Sequence, residues 1–80
     1  MPVVWSAKAA HDLQRIRDRR LVERIMKSVD RLAKTGHGDV KRLQGEDNEF
    51  RLRVGGWRVR FTIADETLQV LRVLPRGGAY

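Results

Sequence analysis

The sequence predicts an α+β fold: a short N-terminal strand, an αα-hairpin and then an antiparallel β-meander, with the helices packed on one face of the sheet. Two periodicities lead to this prediction. Apolar residues recur every three or four positions over residues 7–35, as on helices, and every second position over residues 50–63, as on strands. With 80 residues, of which 41% are hydrophobic and 34% charged, the chain is expected to form a single domain over residues 1–80.

The first half of the chain is expected to hold one strand and two helices. Residues 3–5 are apolar and partly β-branched, which is typical of a brief strand. Ser6 suits the cap of the next helix, because its hydroxyl can accept hydrogen bonds from first-turn N–H groups. The first helix is expected to end near residues 18–20, and the second to begin at about Leu21 and stop at Gly36.

The second half is expected to be strands joined by tight turns. The predicted strands cover residues 40–43, 50–54, 57–63 and 68–74. Gly55-Gly56 is the strongest hairpin signal, because a two-residue turn favours residues that tolerate positive φ, and residues 65–66 form the next turn. On simple register, Arg72 in the last strand is expected to oppose Val59 and to reach solvent at the end of the sheet.

The hairpin register predicts a cluster of arginines. A two-residue turn at Gly55-Gly56 places Arg53 opposite Arg58 and Arg51 opposite Arg60, so all four share the face turned away from the core. We call Arg51, Arg53, Arg58 and Arg60 the arginine face.

Facing like charges cost a few tenths to about 1 kcal/mol per pair. No acidic residue lies within residues 50–63 to offset this repulsion. Because the planar guanidinium group donates two hydrogen bonds at once to a phosphate, a phosphate-binding face is the favoured interpretation. A solvated face that blocks edge pairing and an acidic protein partner stay open as alternatives.

Composition limits the remaining classes of function. A net charge of +7, from 17 basic and 10 acidic residues, indicates a polyanionic partner, with nucleic acid first. The absence of cysteine excludes a disulfide scaffold and a cysteine zinc site. His11 and His37 show no ligand-like spacing, so we expect no metal or cofactor. The N-terminus lacks a long apolar run, so we expect no membrane anchor and a cytoplasmic location.

Several short motifs together resemble the RelE/ParE toxin superfamily, and its RelE-like branch in particular. They are FRLRVGGWRVRF at residues 50–61, LRVLPR at residues 71–76 followed by Tyr80, an S-x-x-A-x-x-D-L helix from Ser6 to Leu13, and K-x-L-x-G from Lys41 to Gly45. The resemblance covers essentially the whole chain. It implies the toxin of a type II toxin–antitoxin system, neutralised by a co-expressed antitoxin.

The RelE-like resemblance further implies a ribosome-dependent endonuclease that cuts mRNA in the A site by metal-free attack of the 2′-hydroxyl on phosphate. By position, Arg51 and Arg53 match basic residues of the strand before the hairpin, and Arg58 matches a phosphate clamp. Arg76 matches a clamp or proton donor, and Tyr80 a residue that stacks on a base. The resemblance leaves two alternatives open: a ParE-like inhibitor of DNA gyrase and a catalytically decayed basic binding module.

Overall fold

The structure, a computed structural model, describes residues 1–45 and 48–77 and confirms the predicted α+β fold. A short strand and two helices precede a series of strands. In chain order, the elements of the described residues are β1 (Val3–Trp5), α1 (Ala7–Gln14), α2 (Arg19–Thr35), β2 (Asp39–Arg42), β3 (Glu49–Val54), β4 (Trp57–Ala64) and β5 (Thr67–Pro75).

The strands form one sheet in the order β1-β5-β4-β3-β2. β1 runs parallel to β5, and the other neighbouring strands are antiparallel. Both helices pack on the same face of this sheet, and the core lies between the two layers. Its largest fully buried side chains are Phe61, Ile25, Leu52, Leu68, Val29, Val59, Val70 and Val73. We call the other side of the sheet, which neither helix covers, the open face.

Each helix begins at a side chain that caps it, and α2 ends at a glycine. The Ser6 hydroxyl accepts from the Ala9 N–H at 3.0 Å, as predicted, and Gly36 closes α2 with φ of 76°. The first helix is shorter than predicted, whereas the second begins two residues before the predicted start. α1 ends at Gln14, and α2 begins at Arg19, because the Asp18 carboxylate accepts from the N–H groups of its first turn and so caps it.

The β3–β4 hairpin has the predicted register. Arg53 lies opposite Arg58, and Arg51 lies opposite Arg60. The alternate residues of the hairpin from Phe50 to Phe61 are buried or half-buried against the helices, which places the arginine face on the open face.

The predicted place of Arg72 was wrong. It lies opposite Arg60 rather than Val59, because the register between β4 and β5 shifts between Arg60 and Phe61. Leu71 is the extra residue of this bulge, since Val70 pairs with Phe61 while Arg72 pairs with Arg60. The bulge therefore brings a further arginine onto the open face.

Among the described residues, neither helix has the length and apolarity that crossing a bilayer requires.

Candidate nucleic-acid interface

The open face carries a straight row of cations across four strands. Lys41 of β2 lies opposite Arg51, which lies opposite Arg60, which lies opposite Arg72. Directly opposed residues point to the same side of a sheet, and neighbouring strands lie about 4.8 Å apart, so the row extends over roughly 14 Å. The arginine face is therefore part of a wider cationic surface that includes the edge strand β2 and the inner strand β5.

Two carboxylates balance half of this row. Glu49, at the start of β3, forms a salt bridge with the Arg60 guanidinium and is 9% exposed. It shares the open face, because it lies opposite Thr62 in the same register as Arg51 and Arg60. The expectation that the arginine face has no acidic neighbour was therefore wrong at Arg60. Glu49 directly precedes residues 50–63, the segment that contains no acidic residue.

The second carboxylate is Asp12, which reaches the row from α1. Its two oxygens accept from Arg72 Nε at 2.8 Å and from Arg72 Nη2 at 3.1 Å. The Val73 backbone N–H also donates to Asp12, at 2.9 Å. Burial raises the pKa of Asp12, but the hydrogen bonds from Arg72 and Val73 outweigh burial and lower the pKa overall. Asp12 therefore orients the Arg72 side chain. It also accepts the hydrogen bond of a backbone N–H on the part of β5 that extends past β1.

Three members of the arginine face line one hollow. Arg51, Arg58 and Arg60, together with Leu43, surround a depression of about 270 Å³. All three arginines are half-buried, and Arg60 is already paired with Glu49. Arg53 is exposed and lines a neighbouring hollow with His37 and Asp39.

The last predicted site residues belong to the C-terminal segment. Arg76 is exposed, and its backbone N–H donates to the Gly56 carbonyl at 2.7 Å. This bond holds the chain after β5 beside the β3–β4 turn, the end of the sheet nearest Arg53 and Arg58. Tyr80, the predicted stacking residue, lies outside the described residues.

The interface suits the binding of phosphate better than the movement of protons. Guanidinium groups stay charged at every physiological pH and cannot serve as bases. Asp39 lies opposite Arg53 on the open face and is exposed, which places a carboxylate beside the arginines. Within residues 1–45 and 48–77, no group of three or more histidine, aspartate or glutamate side chains could hold a metal ion.

Sequence reasoning missed the acids and Lys41. Asp12 is 60 residues away from Arg72 in the chain, and the polar turn after residue 43 hides the register between β2 and β3. The available signal for Glu49 was its position two residues before Arg51, since residues two apart on a strand share a face.

Comparisons with known proteins find similarity to type II toxin–antitoxin systems. The family model for the ParE toxin of type II toxin–antitoxin systems matches residues 3–80. The fold is similar to the RelBE2 toxin–antitoxin complex of Mycobacterium tuberculosis, with 26% identity, TM-score 0.80, and coverage of 94% of this chain and 96% of that one. No curated protein matches the sequence.

Two further solved structures share the fold. The RelE–RelB complex of Pyrococcus horikoshii is 24% identical, with TM-score 0.79 and coverage of 98% and 97% of the two chains. The chromosomal ParDE system of P. aeruginosa is 21% identical, with TM-score 0.77 and coverage of 95% and 96%. The similar structures therefore include both RelE–RelB and ParDE systems.

Proposed function

We propose that this chain, which belongs to the ParE toxin family within the RelE/ParE superfamily of type II toxin–antitoxin systems, acts as a ribosome-dependent endonuclease that cuts mRNA in the A site. Its partners are then the translating ribosome with its message in the cytoplasm and, in the resting cell, a co-expressed antitoxin. The similar solved structures support the antitoxin, because they are toxin–antitoxin complexes.

The observation that carries the proposal is the depression lined by Arg51, Arg58 and Arg60. A half-buried cluster of guanidinium groups suits a phosphodiester whose charge increases in the transition state, because preorganised donors stabilise charge where it develops. A toxin that acts only through protein contacts has no need of such a cluster.

In the proposed reaction, the ribose 2′-oxygen attacks the adjacent phosphorus and the P–O5′ bond breaks. The products are a 2′,3′-cyclic phosphate and a 5′-hydroxyl. We assign Arg58 to the phosphate oxygens, Arg51 and Arg53 to positioning of the backbone, and Arg76 to the leaving oxygen, which takes its proton from water. We assign the removal of the 2′-hydroxyl proton to the Asp39 carboxylate, which lies opposite Arg53 on the open face.

A cleavage assay on a defined message tests the proposal. The message is incubated with the protein, with and without ribosomes stalled at a known codon, and the ends are mapped. We expect cuts only in the A site, with cyclic phosphate ends. Arg58→Ala should slow cutting at least about 100-fold, the usual effect of losing one donor to a developing charge. Arg42→Ala is the matched control, because Arg42 is exposed and lies opposite Phe50, on the side away from the arginine face.

The assignment of Asp39 has its own readout. Asp39→Asn should lower kcat with little change in KM, and the remaining rate should rise tenfold per pH unit because hydroxide then removes the proton. An unchanged rate and pH profile would remove Asp39 from the mechanism while leaving the phosphate clamp in place.

A ParE-like inhibitor of DNA gyrase is the second candidate, favoured by the family match and by the similarity to the ParDE system. This candidate predicts no cut on stalled ribosomes and a loss of gyrase supercoiling that survives Arg58→Ala. A folded protein that fails both assays would be a catalytically decayed basic binding module.

A further inference from the structure

Most of the net charge of this protein lies away from the arginine face. Residues 15–35 carry eight arginines and lysines against three acids, a net charge of +5. Residues 36–80, which include the whole arginine face, carry eight basic residues against six acids, a net charge of +2. The chain as a whole has a net charge of +7, so its strongest positive field comes from α2 and the segment before it.

The charge of α2 is concentrated on its outer side. Ile25, Val29, Leu32 and Ala33 form its buried side. On the solvent side, the exposed residues Arg20, Arg24, Lys27 and Arg31 follow one another at spacings of four, three and four, and together with Glu23 and Ser28 they line a depression of about 320 Å³. We call these four cations the helix stripe. It is about 16 Å long, at 1.5 Å per residue.

The helix stripe is unfavourable for the helix itself. Like charges at spacings of three and four repel each other, and apart from the capping carboxylate of Asp18 the first turn of α2 has no acidic residue to balance Arg19 and Arg20 near the positive end of the helix dipole. Within the described part of α2, the ion pair formed is Lys34–Asp30, which lies outside the stripe. A bound polyanion would remove both penalties.

The helix stripe meets the arginine face at one turn of the sheet. A Cβ atom built at Gly55 would lie 3.2 Å from Arg24 Nη1, so the Arg24 guanidinium lies against the β3–β4 turn. Arg53 and Arg58 flank the same turn on the open face. The positive surface therefore continues around this end of the molecule, from the helix layer to the sheet.

Three features favour RNA as the occupant of the stripe. A protein interface usually has an apolar centre, whereas charged residues and one serine line the depression along the stripe. Single-stranded RNA is held by stacking on aromatic rings, and the stripe has none. Base-paired RNA is held through its backbone, which arginine forks suit. We propose that the helix stripe binds the phosphate backbone of base-paired RNA, at a site separate from the one that cuts.

This inference goes beyond the proposed function and does not require that the protein cuts RNA. A base-paired segment does not offer a splayed nucleotide to the open face. When both sites act together, the stripe holds the protein on a folded RNA, and the arginine face meets a single strand that passes the β3–β4 turn.

Binding to a blunt 20-base-pair RNA duplex tests the inference, by fluorescence anisotropy of the full chain from 50 to 300 mM KCl. The test variant is Arg24→Gln/Arg31→Gln. The control is Lys8→Gln/Arg42→Gln, which has the same net charge and changes exposed residues outside the stripe. Thermal unfolding establishes that both variants are folded.

The stripe variant should lose about two of the salt-sensitive contacts, each contributing about 0.9 to the slope, so that the slope of log Kd against log salt falls by about 1.8. With equal affinities at 1 M salt, this corresponds to a loss of roughly 60-fold at 0.1 M salt. The control should stay within about threefold of wild type.

Equal losses in both variants, or none in the stripe variant, would overturn the inference, and so would a stripe variant that keeps duplex affinity but loses antitoxin affinity. Arg58→Ala separates the two proposals, because it should retain duplex binding while losing cleavage. A wild-type protein that binds duplex RNA through the stripe but never cuts messages would contradict the proposed function alone.

Discussion

The Asp12 carboxylate connects α1 to β5, and its removal should destabilise the whole domain. In Asp12→Ala, Arg72 loses both hydrogen bonds and the Val73 N–H loses its acceptor. The Asp12 side chain is only 10% exposed, so water cannot readily replace it. Each hydrogen bond to a charged group contributes about 1.5–3 kcal/mol when it cannot be replaced. The Arg72 side chain keeps 37% of its surface in water and can be rehydrated, so only the bond from the Val73 N–H is counted at full value, and we expect a total loss of about 2 kcal/mol.

Thermal and urea unfolding at pH 7 measure this loss. For a domain of this size, 2 kcal/mol corresponds to a fall in Tm of roughly 8–16 °C. Asp30→Ala is the control, because Asp30 also pairs with a cation but is 57% exposed, and such a pair contributes about 0.5 kcal/mol or less. Equal losses from the two substitutions would refute the conclusion that burial at the strand edge makes the Asp12 contacts strong.

Three other predictions concern stability. The pKa of Asp12 is lowered in the fold from its ordinary value of 3.8, so its stabilising effect is present above that value and is lost as the pH falls below it. The Tm difference between wild type and Asp12→Asn should therefore shrink from pH 7 to pH 3, and a constant difference would contradict the assignment. Gly55→Ala should cost about 1–2 kcal/mol in urea unfolding because Gly55 has φ of 58°, whereas Gly56→Ala, with no atom within 4 Å of the new Cβ, should cost less than about 0.5 kcal/mol. Glu49→Gln should destabilise the fold by about 1–2 kcal/mol because it removes the charge that balances the half-buried Arg60, and an unchanged urea midpoint would show that this pair contributes nothing.

Local signals were sufficient to predict most of this fold. Ser6 and Gly36 were found because capping depends on side-chain chemistry and on φ at a single residue. The β3–β4 register was found because a two-residue turn leaves only one pairing possible. The early end of α1 was missed because apolar spacing continues through residues 13–25, while the capping carboxylate of Asp18 sets the start of α2.

The candidate site was less predictable, because part of it is built from contacts between distant segments. The bulge that turns Arg72 toward the open face contains no glycine or proline by which the sequence could have indicated it. Asp12 lies in the helix layer, far from Arg72 in the sequence. A pattern along one hairpin can show that charges share a face. It cannot show which acids arrive from elsewhere to balance them.

The two ends of the cationic row differ in how far carboxylates balance their charge. Arg60 and Arg72, toward β5, are each held by a buried or nearly buried carboxylate, whereas Lys41 and Arg51, toward β2, form no ion pair within residues 1–45 and 48–77. A guanidinium group fixed by a carboxylate is already ordered before a ligand arrives, but part of its charge is used. The side of the row near β2 keeps its full charge for a polyanion. Repulsion between facing cations is thus relieved by carboxylates of the protein on one side of the row, and a bound polyanion would relieve it on the other.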